Sequence, residues 1–540
     1  MKPLLARTRA FLAHLARDRR PFSAATAIQS TTTPTALPAA DFETDVLVIG
    51  AGVVGLAVAR AAALRGASVV VAERGAAFGT GTSSRSSEVV HAGLYYPPGS
   101  LKAVLCARGR DMLYDYCAER GVAHKVLGKL VVASGENGPQ RLGALARNAD
   151  AASAAAGSAP LDLRLLTGAQ ARELEPELGP GVDRALLSPR TGIVDSHGLM
   201  AALLTDAEAN GAVLALRSAA VPMPAPALAP PSSPPRSLSS PSSSPSPSSP
   251  SPRRRLTVAI RDAAGETSVF AARRVFNCAG LGAEACARGA LAHLNGGSAA
   301  AAAPALRFAK GNYFELAAPA RAPFSRLVYP LPEDGGLGIH LTLDLAGRAR
   351  FGPDVEWLSF PPARPLAGPA KTAAAASATA SASASATATT PAAAAASAAA
   401  AAAAAAQAAE PPEFDYRVLP SRALDAGWHA AIRAYWPGLP AGDAALVPAY
   451  SGVRPKLPAP APAGASSDRS EFSIFFNFSD FSIFSNFSDF GVQTAKSATW
   501  PGGRGHGVPG LVCLYGVESP GLTSAMALAE HVVGDLAEGG

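Results

Sequence analysis

The sequence predicts an α/β protein in which a parallel strand–helix–strand unit is assembled from separated segments and a mostly β region is set between them. Two stretches carry that expectation. Asp45–Arg74 (DVLVIGAGVVGLAVARAAALRGASVVVAER) runs from a short apolar strand through a glycine-spaced turn and an apolar-periodic helix to a second strand. Far downstream, Leu511–Tyr515 is again strand-like, and Ser519-Pro520-Gly521 leads into a helix from Leu522. Mixed helices and strands lie between.

In order along the chain, Met1–Ala40 comes first. Lys2, Arg7, Arg9, Arg17, Arg19 and Arg20 stand there against the single acid Asp18, so this leader holds five of the chain's six net positive charges. Leu4, Leu5, Phe11, Leu12 and Leu15 share one helical face between the basic residues. That is the composition of an organellar transit peptide, mitochondrial before chloroplast. The remaining body is nearly neutral and gives no argument for nucleic acid. Val46–Ile49 reads as a buried parallel strand, followed by Gly50, Gly52 and Gly55 in G-x-G-x-x-G spacing. Gly50 allows the turn, Gly52 lets the backbone approach a pyrophosphate, and Gly55 lets the Leu56–Leu64 helix sit close to the strand. Ser68–Ala72 is the second strand. Glu73 falls where an acid accepts hydrogen bonds from an adenosine ribose, with Arg74 beside it. These parts occur in the order dinucleotide binding requires.

Three tracts read as disordered low-complexity insertions: 221–252, rich in Pro and Ser; 362–411, mostly Ala, Ser and Thr; and 461–488, which contains most of a Phe-rich near-repeat (Phe472–Asp480 and Phe481–Asp489). The first separates two strand-like runs, Val213–Leu216 and Leu256–Ile260, and reads as an overgrown loop. Without the leader and these tracts roughly 400 residues remain, enough for two domains. Cys106, Cys117, Cys278, Cys286 and Cys513 form no C-x-x-C pair, so free or buried thiols are expected in place of a disulfide framework, and no metal site is expected. No apolar run suffices for a transmembrane span; a peripheral membrane contact stays open.

Further motifs combine with the glycine fingerprint: TSSRSSEVVHAGLYYPPGSLKA (Thr82–Ala103), GIVDSH (Gly192–His197), FNCAGLG (Phe276–Gly282), KGNYFEL (Lys310–Leu316), LVYPLPEDGGLGIHLTLDLAGRARFGPDVEW (Leu327–Trp357), YSGVRPKL (Tyr450–Leu457) and YGVESPGLTS (Tyr515–Ser524). Together they resemble the glutathione-reductase-type FAD family, in the branch of D-amino-acid oxidase and glycerol-3-phosphate dehydrogenase. Within it the resemblance is to the dehydrogenases of L-2-hydroxyglutarate, over about Asp41–Val533. The resemblance implies a Rossmann-like FAD-binding domain (41–100, 185–220, 253–295 and 489–540) and a mostly antiparallel β substrate domain (101–184, 304–361 and 412–460).

The resemblance also implies a chemistry: oxidation of the C2 alcohol of L-2-hydroxyglutarate to 2-oxoglutarate, with hydride passing to flavin N5. Besides the fingerprint, Ser83, Ser84, Arg85, Gly280, Gly516, Gly521, Leu522 and Thr523 are expected at the cofactor. The helix from Leu522 would stabilise negative charge on it, though Ser519 also reads as an ordinary helix cap with Pro520 at the first position. A histidine suits the base role, and His91 and His340 are both candidates. Arg454 is the expected carboxylate clamp, with Lys456, Lys310 and Tyr329 as further substrate contacts. Asp195-Ser196-His197 reads as a helix cap, since sequence neighbours do not form a hydrolytic relay. Quinone, an electron-transfer flavoprotein and oxygen all stand as acceptors. A related flavoenzyme acting on an amino acid or another 2-hydroxy acid, and a non-catalytic flavin-binding protein, are the competing expectations.

Overall fold

The computed structural model describes residues 40–223, 255–317, 322–331, 338–359, 412–421, 426–442, 445–457, 489–500 and 502–535. The leader, nearly all of the Pro/Ser tract, the Ala-rich tract and the near-repeat up to its last residue lie outside these residues. The strands are β1 (Phe42–Ile49), β2 (Val69–Ala72), β3 (Val89–Val90), β4 (His124–Lys125), β5 (Lys129–Ala133), β6 (Arg164–Thr167), β7 (Arg184–Ser188), β8 (Gly192–Val194), β9 (Val213–Ala215), β10 (Ala219–Val221), β11 (Leu256–Arg261), β12 (Thr267–Asn277), β13 (Arg307–Leu316), β14 (Leu327–Pro330), β15 (His340–Leu343), β16 (Ala349–Gly352), β17 (Glu356–Leu358), β18 (Leu446–Lys456), β19 (Gly491–Gln493) and β20 (Leu511–Tyr515). The helices are α1 (Val53–Leu64), α2 (Leu101–Arg120), α3 (Gly138–Ala155), α4 (Gly168–Leu174), α5 (Ser196–Ala209), α6 (Ala283–Arg288), α7 (Ser298–Ala302), α8 (Ala426–Tyr435) and α9 (Gly521–Glu530).

The first sheet has a parallel centre, β9-β2-β1-β12-β20. Antiparallel β10 and β11 extend it at β12, and β19 pairs β20. The expected first flank of the Pro/Ser tract, Val213–Leu216, is instead β9 beside β2; an additional strand, β10, precedes the tract and pairs antiparallel with β11. The two strands of the fingerprint unit are nearly continuous apolar runs, as burial on both faces demands. Val46 and Val48 face one core with α1, α5 and α9, while Leu47 and Ile49 face another with α6 and Tyr515. β1 begins at Phe42, earlier than its apolar run suggests, because Phe42–Thr44 pairs in register with Phe270–Ala272. Helix α1 likewise begins at Val53 instead of Leu56, since the Leu56 amide already bonds the Gly52 carbonyl.

The second sheet runs β17-β13-β16-β15-β14-β5-β7-β6, with β18 on the free edge of β13. Only the β14–β5 pairing is parallel among its described pairs. Its own core gathers Leu130, Leu186, Phe314, Phe351 and Trp428. Helix α2, which sequence reasoning sets with the β region, contributes Leu105, Leu113, Tyr116 and Cys117 to the core of the parallel sheet and packs on α9. Gly109 permits that crossing, for a side chain there would overlap the Thr523 carbonyl.

Candidate active site

Helices α1 and α9 both start at the carboxyl ends of parallel strands, β1 and β20, and pack on one another. Their amino termini therefore lie on one edge of the sheet, where ligands of open α/β sheets bind. The glycines behave as the fingerprint requires. Gly50 sits at φ +101°, and a side chain there would come within 2.6 Å of the Cys278 carbonyl oxygen. A Cβ on Gly55 would overlap the Gly50 carbonyl. Gly52 brings no side-chain cap to α1, so its first-turn amides, apart from that of Val53, suit an anion. Ser83 Oγ accepts from the Val53 amide at 3.0 Å. Glu73 accepts from the amides of Ala51 and Gly75, each at 2.7 Å; a carboxylate has about four acceptor positions, which leaves capacity for a ribose. Side chains added at Gly81 or Gly280 would meet open space. Helix termini, acid and open glycine turns together fit an adenine dinucleotide.

The turn Thr82–Arg85 joins this edge to the second sheet. Thr82 Oγ1 donates to the Val453 carbonyl at 3.3 Å, and Arg85 Nη1 to that of Ser451 at 3.2 Å. The Arg85 guanidinium lies 3.8 Å over the Tyr416 ring. Gly452 admits the Arg85 carbonyl, which a Cβ would approach to 2.6 Å, and Tyr450 donates to the Ser86 carbonyl at 3.0 Å. Side chains alternate along a strand, so Tyr450, Gly452, Arg454 and Lys456 present one face of β18 to this turn.

That face continues across the sheet. Tyr313 opposes Tyr450 in register, and their rings stack at 4.5 Å. His340 opposes Gly352 and stacks on Tyr329 with centroids 3.7 Å apart. Next along, the Lys129 ammonium lies 4.6 Å from the Tyr329 ring centroid and 4.7 Å from that of Tyr95. The result is an aromatic floor studded with cations.

His91 closes over it from the other side. Its amide donates to Thr523 Oγ1 at 3.0 Å, and its Nε2 lies 3.1 Å from Ser519 Oγ. Enclosure, followed by the neighbouring Lys129 and His340, drives the His91 pKa down to about 3, so the resting ring is neutral near pH 7. Beneath the same turn lies a buried triad: Glu518 bonds Lys456 at 2.6 Å and Lys102 at 3.1 Å. Burial alone would raise the Glu518 pKa; Lys102, Lys456 and Arg454 outweigh it and hold it at about 2.

The structure thus gathers Gly50, Gly52, Gly55, Glu73, Ser83, Ser84, Arg85, Gly516, Gly521, Leu522 and Thr523 along one edge, with Gly280 following β12. Arg74 is exposed beside Glu73, close enough to oppose, after Arg85, the rise that burial gives the Tyr416 pKa. Arg454 uses one donor on the Asp354 carbonyl, at 3.1 Å, and keeps others for a carboxylate. Two expected substrate contacts need correction. Lys310 opposes Val453, on the other face of β13, and its Nζ bonds the Arg417 carbonyl at 2.6 Å. Lys456 has the correct face but is bound to Glu518. Ser519 is not the cap of α9: Pro520 holds that position with no side-chain bond, and Ser519 turns to His91. Asp195 caps α5 as expected, accepting from the amides of His197 and Gly198 at 3.0 Å. The cysteines are all free and buried. Sequence reasoning missed Lys129, Glu518, Lys102, Tyr95 and Tyr313. A charged residue opening the apolar run KLVVA was the available signal for Lys129.

A family model described as FAD dependent oxidoreductase matches residues 45–534. The chain belongs to that family; it is an enzyme, and its cofactor is FAD. It is 36% identical, over 90% of its length and 82% of the relative's, to an Arabidopsis thaliana protein named "L-2-hydroxyglutarate dehydrogenase, mitochondrial". The human protein of the same name is 36% identical over 32% of this chain and 36% of its own. Among solved structures, L-alpha-glycerophosphate oxidase from Mycoplasma pneumoniae with FAD bound shares the fold at TM-score 0.59 and 17% identity, covering 91% of this chain and 94% of that one. Glycine oxidase from Geobacillus kaustophilus does so at 0.53 and 16%, covering 92% and 95%.

Proposed function

We propose that the enzyme oxidises L-2-hydroxyglutarate to 2-oxoglutarate. The observation that carries this reading is the meeting of a neutral, half-buried imidazole and a guanidinium with donors to spare at one turn. His91 reaches Ser519, and Arg454 lies near enough to Glu518 to lower its pKa. The name of the Arabidopsis relative agrees with it. FAD is held by Gly50, Gly52, Gly55, Glu73 and Arg74, by Ser83–Arg85, and by Gly280 with the Gly516–Thr523 turn; when bound it supplies the hydride acceptor. The chain's own residues do the rest. Arg454 fixes the C1 carboxylate by two-point contact. His91 takes the C2 hydroxyl proton at Nε2, which exchanges its contact with Ser519 Oγ for the substrate hydroxyl. His340 is held in the aromatic floor by Tyr329, which makes His91 the better base. The first-turn amides of α9 favour negative charge gathering at its amino terminus.

Two domains, a parallel-sheet FAD domain that also takes in α2 and a mostly antiparallel substrate domain that takes in β7, and mitochondrial import directed by residues 1–40, complete the reading. The reoxidant is a quinone, an electron-transfer flavoprotein or oxygen. No helix among the described residues is long and apolar enough to cross a membrane. Aerobic and dye-linked assays with L-2-hydroxyglutarate test the function: 2-oxoglutarate should form in step with dye reduction, and its absence with every acceptor would refute the reading. A reporter fused to residues 1–40 tests import.

A further inference from the structure

Lys129 and Tyr95 stand out because neither has an acidic or acceptor partner. Lys129 is 1% exposed, and no carboxylate pairs with it among the described residues. Its neighbours are the two tyrosine rings, His91, and Cys106 on α2. Tyr95 is 2% exposed, and its hydroxyl has no hydrogen-bond partner. Buried polar groups are nearly always satisfied, so two adjacent orphan donors mark a place where an acceptor belongs. The imidazoles beside them, His91 and His340, supply no negative charge to offset the ammonium; an anion would satisfy both donors. The Lys129 pKa, brought down to about 7 by burial and only partly restored by Cys106, shows how little compensates the ammonium as it stands.

We infer that Lys129 and Tyr95 form the seat for the second carboxylate of a dicarboxylic 2-hydroxy acid, the one Arg454 does not hold. The ammonium and the phenol hydroxyl both donate to that carboxylate. Being fully buried, the pair selects a C5 carboxylate over a C5 methyl, because the methyl would leave both donors unmet. This assignment rests on the reading of the substrate given above.

The test compares L-2-hydroxyglutarate with L-2-hydroxypentanoate, which differ only at C5, using flavin-loaded protein. Lys129→Met should lower kcat/KM for the dicarboxylate about 100-fold, mainly through KM, and leave the monocarboxylate nearly unchanged. Tyr95→Phe keeps the packing and removes only the orphan hydroxyl. It should lower the same ratio roughly 10-fold without loss of bound flavin or thermal stability. It also serves if Lys129→Met fails to fold. Parallel losses on both substrates, or no loss on either, would overturn the assignment. Binding of glutarate against pentanoate, read from the flavin absorption spectrum, separates the two readings. A preference for glutarate that vanishes in both variants keeps the seat even if L-2-hydroxyglutarate is never oxidised. No such preference in the wild type removes the seat whatever the reaction.

Discussion

At the residue scale, burial assigns different work to similar side chains. Lys456 and Arg454 share a strand face, yet Glu518 claims the first and leaves the second able to bind substrate. Arg454→Ala should therefore keep FAD and raise KM strongly; steady-state kinetics beside flavin content checks this, and an unchanged KM removes Arg454 from the site. His91→Asn should retain flavin and lower kcat about 10²–10⁴-fold. It should also alter acid stability. The unfolded chain takes up the His91 proton below its ordinary 6.5, whereas the folded protein refuses it down to about 3. Stability is consequently lost as pH falls through that window, and urea midpoints measured across it should fall less steeply in the variant. Glu518 adds loss at lower pH. Its contribution is full above its ordinary 4.5 and disappears as pH falls toward about 2. Glu518→Gln strands the buried Lys102 and the half-buried Lys456 and should destabilise the protein by about 3–5 kcal/mol at neutral pH, measured by urea unfolding.

At the scale of elements, close approach explains most of what the sequence showed. The spacing Gly50, Gly52, Gly55 is legible because Gly50 and Gly55 each remove a collision with backbone, while a side chain at Gly52 would crowd Ser83 Oγ. Gly55→Ala should push α1 off β1 and weaken FAD binding, read by flavin retention on dialysis. The motif marks Arg454 as the candidate clamp, but the faces and partners of Lys310 and Lys456 were not legible, because both depend on register. Lys310 follows β13 to the side covered by Tyr416 and Arg417, which no local pattern reveals. Lys129 was hidden for a related reason: a lysine beginning a strand looks like a solvated end until β7 and β14 enclose it. Asp489, the last residue of the Phe-rich near-repeat, belongs to the fold, accepting from the amides of Leu101 and Lys102 at 2.8 Å to cap α2.

At the scale of the whole molecule, the site is a seam. One side is the carboxyl edge of a parallel sheet, legible from Asp45–Arg74 and Tyr515–Ser524. The other is one face of a mostly antiparallel sheet, whose strands could be anticipated but whose order could not, since β5 lies beside β14 across some two hundred intervening residues. The contacts of Thr82–Ser86 with Ser451, Val453 and Tyr450 hold the two sides together. A redox site with a chiral hydroxy-acid seat is what such a seam provides. Anaerobic mixing of the flavin-loaded protein with each enantiomer of 2-hydroxyglutarate, followed by the visible flavin spectrum, tests this most directly. Rapid bleaching by the L enantiomer, with the D enantiomer inert, is the result expected; a flavin left oxidised by both, or reduced equally by both, would contradict the account.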